Sequence, residues 1–176
     1  IDRIIQRNHS EKRVMSDVLD KQLTNILRPK LTQNINNFLI SSWSESASSG
    51  GGDFLLHTKK ESFDYIILGD VMGHGKSAKF YAHMYAGYIK AAIKVMTFND
   101  DAAQLMRLIS NFIYEDDALE AVIATLLILQ INKDGSQIKI VNAGHPLPLL
   151  ITEKKIEILA VPGELLGLNK QYTYKA

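Results

Sequence analysis

The sequence has no cysteine among its 176 residues. A disulfide framework, a thiolate metal site and a cysteine nucleophile are therefore excluded. No apolar run approaches the roughly 20 residues that span a bilayer, and no signal-peptide pattern is present. The formal net charge of +1 argues against nucleic acid as a partner bound by bulk electrostatics. Together these absences favour a cytoplasmic protein that does not bind nucleic acid.

The composition is that of one soluble domain, because 46% of the residues are hydrophobic and 22% are charged. The chain starts at Ile1 rather than at a methionine, and it stops at Ala176 just after a polar and aromatic run. From both ends we expect the sequence to be part of a longer polypeptide.

A helical stripe marks the first 28 residues. From Val14 onward, apolar residues recur at the three- and four-residue spacing of a helix, and Pro29 predicts where the helix ends. The helix is polar on three sides and needs a partner for its narrow apolar face. Two alternatives are open: the helix lies on its own domain, or it is a linker from an upstream region and forms a homodimer through residues 1–28.

The rest of the sequence predicts strands, two helices and more strands. The strands are expected at 37–44, 53–57, 63–68, 121–131, 137–142, 149–151 and 156–159, with a flexible loop over "SASSGGG" at 46–52. The helices are expected at 77–96 and 101–114, the second capped by Asn99 or Asp100. This order predicts a layered α+β domain built on antiparallel hairpins.

The stretch "IILGDVMGHGKS" at 66–77 combines an apolar run, an aspartate and three glycines. Its end looks like that of a phosphate-binding loop, but Asp70 stands where the first glycine of such a loop belongs. A carboxylate there would repel the phosphates. We therefore reject the phosphate-binding loop.

The alternative is that Asp70 binds a cation. A carboxylate at the end of a buried strand, followed by glycines that allow close approach and positive φ, suits Mg²⁺ or Mn²⁺. Asp53 follows three glycines in the same way, and a hairpin of 54–57 with 63–68 would place it opposite residues 69–70. Two simpler roles remain open, a turn cap for Asp53 and a cap for the helix near Lys76 for Asp70.

Histidines supply the remaining polar candidates. Asn142 and His145 lie at a strand end in "VNAGHPLP", where a structural role in holding the loop is favoured over lining the cleft. His74 is closer to the expected site and could make indirect contact with it. The other histidines have no metal-ligand spacing and are interpreted as ordinary surface or interface residues; they are His9, His57 and His83.

Four motifs in order resemble the SpoIIE/RsbU-type phosphatases, a bacterial branch of the metal-dependent PPM protein serine/threonine phosphatases. They are "SGGGDF", "LGDVMGHGKSAKF", "VNAGHPLPLLI" and "GELLGL". The resemblance implies an α-β-β-α sandwich of two antiparallel sheets flanked by helix pairs, incomplete at the C-terminus. It divides the chain into a linker or switch helix at 1–30, from an upstream sensor region, and a phosphatase domain at 31–176 that lacks its last segment.

The resemblance also implies a site with two Mn²⁺ or Mg²⁺ ions. Asp70 would bridge both ions, Val71 would offer its backbone carbonyl, and Asp53 would bind one ion directly or through water. Neighbouring residues would support these ligands indirectly; they are Gly52, Gly73, His74, Asn142 and His145. The ions would activate water against phosphoserine or phosphothreonine, without a protein nucleophile. The implied substrate is an anti-sigma-factor antagonist of partner-switching signalling.

Two departures from the family pattern affect these expectations. The first motif usually reads GGDFxD, but Leu56 stands where the second aspartate belongs. The late metal aspartates of the family do not occur before Ala176, where the only later acidic residues are Glu153, Glu157 and Glu164. We therefore expect these 176 residues alone to bind metal poorly and to be inactive. A non-catalytic module that binds a regulatory protein or mediates dimerisation is the alternative function.

Overall fold

A computed structural model describes residues 2–35, 37–45, 51–96 and 101–176, with side chains from Lys12 onward. In chain order the elements are α1 (Asp2–Leu27), β1 (Thr32–Ile35), β2 (Phe38–Ser41), β3 (Phe54–Lys59), β4 (Phe63–Val71), α2 (Gly75–Val95), α3 (Ala102–Tyr114), a 3₁₀ turn (Asp117–Leu119), β5 (Ala124–Asn132), β6 (Ile138–Ala143), β7 (Leu149–Ile151) and β8 (Ile156–Ile158). The predicted antiparallel α+β arrangement is confirmed.

The central element is a four-stranded antiparallel sheet in the order β3-β4-β5-β6. Because side chains alternate across a strand, every second residue points to the same face. One face carries Phe54, Tyr65 and Ile67, which pack with α2 and α3 in the main core. The opposite face carries Ile66 and Ile131, so the sheet is buried between two layers.

The second layer is the β1–β2 hairpin, which places Ile35 against Ile66 and Ile131. Strand β1 was not predicted, and β2 is shorter than the strand predicted over 37–44. Both strands are short, and only alternate residues of the hairpin meet the sheet, so their apolar pattern is weak. Most of the predicted "SASSGGG" loop, at 46–50, lies outside the described residues.

Helix α1 ends before Pro29, as predicted. Its last turn buries Leu27 in the main core, and it contacts α2 and β3. Upstream, its apolar residues are exposed; they are Val14, Met15, Val18 and Leu19. The C-terminal part of the helix therefore lies on its own domain. The dimer through residues 1–28 stays a prediction. No helix in the described ranges is long and apolar enough to cross a membrane.

Two element boundaries differ from the predictions, and the first of them affects the site. Strand β4 continues to Val71, so Asp70 lies inside the strand and pairs with Thr125 of β5. Helix α3 is capped by Asp101, whose carboxylate accepts hydrogen bonds from the backbone N–H groups of Ala103 and Gln104. The predicted caps Asn99 and Asp100 lie outside the described residues.

The C-terminal segment begins with the β7–β8 hairpin, as predicted. It then crosses back to the main core, where Leu166 and Tyr174 are buried. Gly163 lies so close to β6 that a Cβ there would be 1.7 Å from the carbonyl oxygen of Asn142. The segment therefore fixes the end of β6 that carries the "VNAGHP" turn.

Candidate metal centre

Asp53 and Asp70 lie opposite each other at the open end of the β3–β4 hairpin. The ladder pairs Phe54 with Gly69, and beyond it the Val71 N–H donates to the Gly52 carbonyl over 3.3 Å. The two aspartates stand between these pairs, on the sheet face opposite α2 and α3. The predicted convergence of two carboxylates 17 residues apart in sequence is therefore confirmed.

The electrostatics of the pair are unfavourable without a cation. Burial raises the pKa of Asp70 above its usual value, and the charge and hydrogen bond of Asp53 raise it further. The positive charge of Arg28 acts in the opposite direction. Two carboxylates that share a site in this way attract a proton or a metal ion.

Arg28 is the residue of this site that the sequence analysis missed. Its Nε donates to the Asp53 carbonyl over 3.0 Å and its Nη2 donates to Asp53 Oδ2 over 3.1 Å. The Arg28 side chain is 9% exposed and the Asp53 side chain 66% exposed. The available signal was weak: an arginine between the last turn of a helix and Pro29, far in sequence from both acids.

Gly51 and Gly52 allow the close contacts around Asp53 because neither has a side chain, but each makes room for a different group. A Cβ at Gly52 would lie 1.9 Å from the carbonyl oxygen of Val71, so the two backbones approach too closely for any side chain. A Cβ at Gly51 would lie 2.8 Å from Arg28 Nη2, the mobile end of a long side chain. Gly52 is therefore needed for the strand pairing, and Gly51 leaves room for the guanidinium.

The loop after β4 carries the other two predicted glycines. Gly73 has φ +112° and Gly75 has φ +70°, in the left-handed region where glycine is favoured. The exposed His74 between them is the N-cap residue of α2, but its side chain makes no capping hydrogen bond. Asp70 lies in β4, five residues before the helix, so its alternative role as a helix cap is wrong.

Asn142 and His145 hold the turn that follows β6. The Asn142 amide donates to the His145 carbonyl over 2.9 Å, and the His145 N–H donates to Asn142 Oδ1 over 2.8 Å. His145 Nδ1 is 2.8 Å from the Thr125 hydroxyl. Burial lowers the pKa of His145, against the opposing charge of Asp53. The favoured structural role of Asn142 is confirmed, and His145 also lies beside the acidic pair.

The remaining histidines lie away from the site. His57 is buried between Asp64 and Gln33. Its Nε2 lies 3.0 Å from Oδ1 of Asp64, and its Nδ1 lies 2.9 Å from Nε2 of Gln33. Its interpretation as an ordinary surface or interface residue is therefore wrong, because it belongs to a buried polar cluster. His83 lines a groove between α1 and α2. The side chain of His9 lies outside the described residues.

The ligand atoms at this site are of the type that a hard divalent cation prefers, but they are few. Asp53 and Asp70 are oxygen donors, as Mg²⁺ and Mn²⁺ prefer. Within the described ranges no three His, Cys, Asp or Glu side chains are grouped for a metal. Leu56 does not alter this count, because it points into the core on the opposite sheet face. The residues present fit one ion that keeps most of its water.

An apolar cleft adjoins the acidic pair. It encloses about 520 Å³ and reaches from Asp53 and His145 to Trp43 and Ile40. Its floor is formed by the sheet residues Leu55, Ile66 and Leu68. Asp53 therefore stands at the edge of a space that a protein side chain could enter.

The family model for stage II sporulation protein E (SpoIIE) matches residues 65–176, well over half of the chain. No curated protein matches. Among solved structures, the RsbU and RsbW domains of a Mycobacterium tuberculosis protein share 18% identity, with a TM-score of 0.60 over 74% of this chain and 36% of theirs.

Two further structures agree on the fold. The PP2C phosphatase domain with a regulatory fragment of SpoIIE from Bacillus subtilis shares 13% identity, with a TM-score of 0.57 over 80% of this chain and 38% of that one. RsbX in complex with magnesium shares 16% identity, with a TM-score of 0.55 over 76% and 62%. The chain thus spans less than two thirds of each of these structures. It has the fold of PP2C-type phosphatase domains and belongs to the SpoIIE family.

Proposed function

We propose that this chain is the metal-binding part of a protein serine/threonine phosphatase. The observation that carries the proposal is the convergence of Asp53 and Asp70 at the glycine-lined end of the β3–β4 hairpin. A shared pair of carboxylates whose electrostatics are unfavourable without a cation favours a functional site over a structural role. Membership of the SpoIIE family supports the same reading.

Each residue has a defined part in the proposed reaction. Asp70 supplies the central carboxylate, Asp53 the second one, and the Val71 carbonyl a backbone oxygen. A bound Mn²⁺ or Mg²⁺ would polarise the phosphoryl oxygens and lower the pKa of a water for attack. Gly52 keeps the Val71 backbone close to β3, and Gly73 shapes the turn that leads from Asp70 into α2.

The surrounding histidines and Asn142 would act indirectly. Asn142 fixes the backbone of His145, and His145 with Thr125 forms one wall beside Asp53. His74 is exposed at the start of α2, in the turn that follows β4. We propose that these groups orient the substrate or the ligands and do not transfer the phosphoryl group.

We further propose that the substrate is a phosphorylated regulatory protein, an anti-sigma-factor antagonist, in the cytoplasm. The solved relatives include RsbU and RsbW domains and a protein of the bacterial stressosome. The open cleft supports a protein substrate, because a phosphorylated side chain can reach Asp53 from solvent. Residues 1–30 would then connect residues 31–176 to an upstream sensor region, and residues 1–28 would mediate a homodimer.

The test uses the natural polypeptide that carries this chain, with Mn²⁺ and a phosphoserine-bearing anti-sigma-factor antagonist. We expect Asp70→Asn to abolish phosphate release and Asp53→Asn to reduce it at least tenfold, since each removes a metal carboxylate. Glu157→Gln is the matched control, because this exposed acid lies on the β7–β8 hairpin, where it forms a surface ion pair with Lys155. Unchanged turnover in Asp70→Asn would contradict the proposal.

The 176 residues by themselves are expected to be a poor enzyme. Two carboxylates cannot hold two hydrated divalent ions tightly, and the described ranges offer no third acidic ligand in the group. The measurement is hydrolysis of p-nitrophenyl phosphate by this 176-residue chain at millimolar Mn²⁺. Robust turnover would refute this expectation and leave the assignment of Asp70 intact.

A second candidate function is a phosphatase-like module that binds a regulatory protein without hydrolysis. The small number of ligands and the occupation of Asp53 by Arg28 favour it. Binding of the phosphorylated antagonist without phosphate release, at saturating Mn²⁺, would support this function over catalysis.

A further inference from the structure

The bond between Arg28 and Asp53 raises a question about the metal site. Arg28 contacts two of the three oxygens of Asp53, the backbone carbonyl and Oδ2. Its side chain is almost fully buried, although the carboxylate that it binds is open to solvent. A guanidinium held in this way already neutralises one of the two converging acids.

We propose that Arg28 is a built-in cation that competes with a divalent metal ion for Asp53, so that metal affinity depends on where α1 ends. This inference rests on the proposed metal site and not on the phosphatase reaction. A positive charge about 3 Å from the carboxylate repels an incoming ion of the same sign. A fully loaded site would therefore require that the guanidinium moves or that the ion binds less tightly.

The position of Arg28 is tied to α1 by the backbone. Its N–H donates to the carbonyl of Thr24 over 2.9 Å, which continues the helical hydrogen bonding past Leu27. The Thr24 hydroxyl accepts a hydrogen bond from Lys79 Nζ over 2.8 Å, and the same ammonium lies 2.6 Å from Asp20 Oδ1. One buried lysine of α2 therefore fixes the helix turn that carries Arg28.

The neighbouring glycine is consistent with this role. A side chain at residue 51 would reach the space that Nη2 of Arg28 occupies. Among the described residues, the Arg28 guanidinium is the group that such a Cβ would contact, so the absence of a side chain at Gly51 leaves room for it. A substitution there displaces the charge and leaves it in the protein.

The experiment measures Mn²⁺ binding by electron paramagnetic resonance at constant pH and ionic strength. We expect Arg28→Gln to bind Mn²⁺ on the order of tenfold more tightly than the wild type, because one repelling charge is removed. Arg28→Lys should stay close to the wild type, because it keeps the charge. Gly51→Ala should shift affinity in the same direction as Arg28→Gln but by less.

Lys30→Gln is the matched control, since it removes an exposed positive charge two residues away. Its affinity should change by no more than about twofold if the effect is local. Equal affinity of the wild type and Arg28→Gln would overturn the proposal. Weaker binding by Arg28→Gln would also overturn it, because Arg28 would then orient Asp53 for the ion.

A second measurement uses the reciprocity of coupled equilibria. If Arg28 and the ion compete, saturating Mn²⁺ must loosen the last turn of α1. We expect faster hydrogen exchange of the Arg28 amide in the wild type with Mn²⁺ than without it, and no such change in Asp53→Asn. No Mn²⁺ binding in any variant would reject the metal site itself, whereas binding with unchanged exchange would reject only the competition.

Discussion

The β3–β4 hairpin carries acidic residues at both of its ends, and the two ends are built in opposite ways. At the closed end, Asp64 is 2% exposed and is bound by His57 and by Lys133, whose Nζ is 2.7 Å from Oδ2. At the open end, Asp53 and Asp70 face each other, and within the described ranges the ion pair there joins Arg28 to Asp53. The closed end places two basic side chains around one acid, and the open end places one arginine beside two acids.

The pKa directions express the same difference. Burial by itself raises the pKa of Asp64, but the hydrogen bonds and charges of Lys133 and His57 outweigh it, and the net shift is downward. For Asp70 burial and the neighbouring acid act together, and the shift is upward. An acid whose charge is balanced by basic neighbours stabilises the fold, whereas an acid with too little positive charge around it is available to bind a ligand.

Among the tests of this comparison, Asp64→Asn is expected to have the largest effect on stability. The substitution leaves the buried His57 and the partly exposed Lys133 without the carboxylate that both contact, and we expect it to lower the free energy of unfolding by about 3 kcal/mol. Urea denaturation of the metal-free protein measures the change, with the exposed Glu157→Gln as control. A loss below about 0.5 kcal/mol would mean that the closed end contributes no more than a surface pair.

The second test compares Gly52→Ala with Gly51→Ala. A Cβ at residue 52 meets the Val71 backbone, which can move only with the strand, so we expect a loss of about 2 kcal/mol. At residue 51 the Cβ meets the end of the Arg28 side chain, which can turn away at a cost of about 0.5 kcal/mol. Equal losses in thermal unfolding would show that the two glycines serve one purpose.

The third test is the pH dependence at the closed end. Because the folded pKa of Asp64 is below its model-peptide value of 3.8, its contribution to stability is present above that value. It is lost as pH falls through the lower, folded pKa. The stability difference between the wild type and Asp64→Asn should shrink as pH falls below about 3.8. A difference that persists at pH 2 would show that the carboxylate charge is not its source.

The open end was the more predictable of the two from sequence. Its signals are local: an aspartate after an apolar run, glycines beside it, and a second aspartate one hairpin away. The register then follows from a short turn between two alternating strands, which is why Asp53 and Asp70 were expected to meet. The same local signals predicted α2, α3 and the β7–β8 hairpin.

Features that depend on distant contacts were not predictable in this way. Arg28 reaches Asp53 across 25 residues, and Lys133 reaches Asp64 across 69. No spacing in the sequence indicates either pair, because both depend on how α1 and the β5–β6 turn pack against the hairpin. The β1–β2 hairpin was only partly predicted for the same reason, because its few apolar residues are recognised as core residues only once they are seen to pack against Ile66.

The smallest effect, and the one with the most informative sign, is that of Asp70→Asn on stability. In the metal-free protein Asp70 is ionised at a cost, because its folded pKa is raised, so its replacement should stabilise the fold at pH 7. The carboxylate is exposed to solvent, which limits the gain to about 0.3 kcal/mol. The gain should vanish as pH falls through the raised pKa, where the wild type becomes neutral too.

With Mn²⁺ the order of stability of the wild type and Asp70→Asn should reverse, since only the wild type gains binding free energy. Denaturation with EDTA and with Mn²⁺ measures both signs, and a wild type that is the more stable under both conditions would place Asp70 with Asp64 among the structural acids.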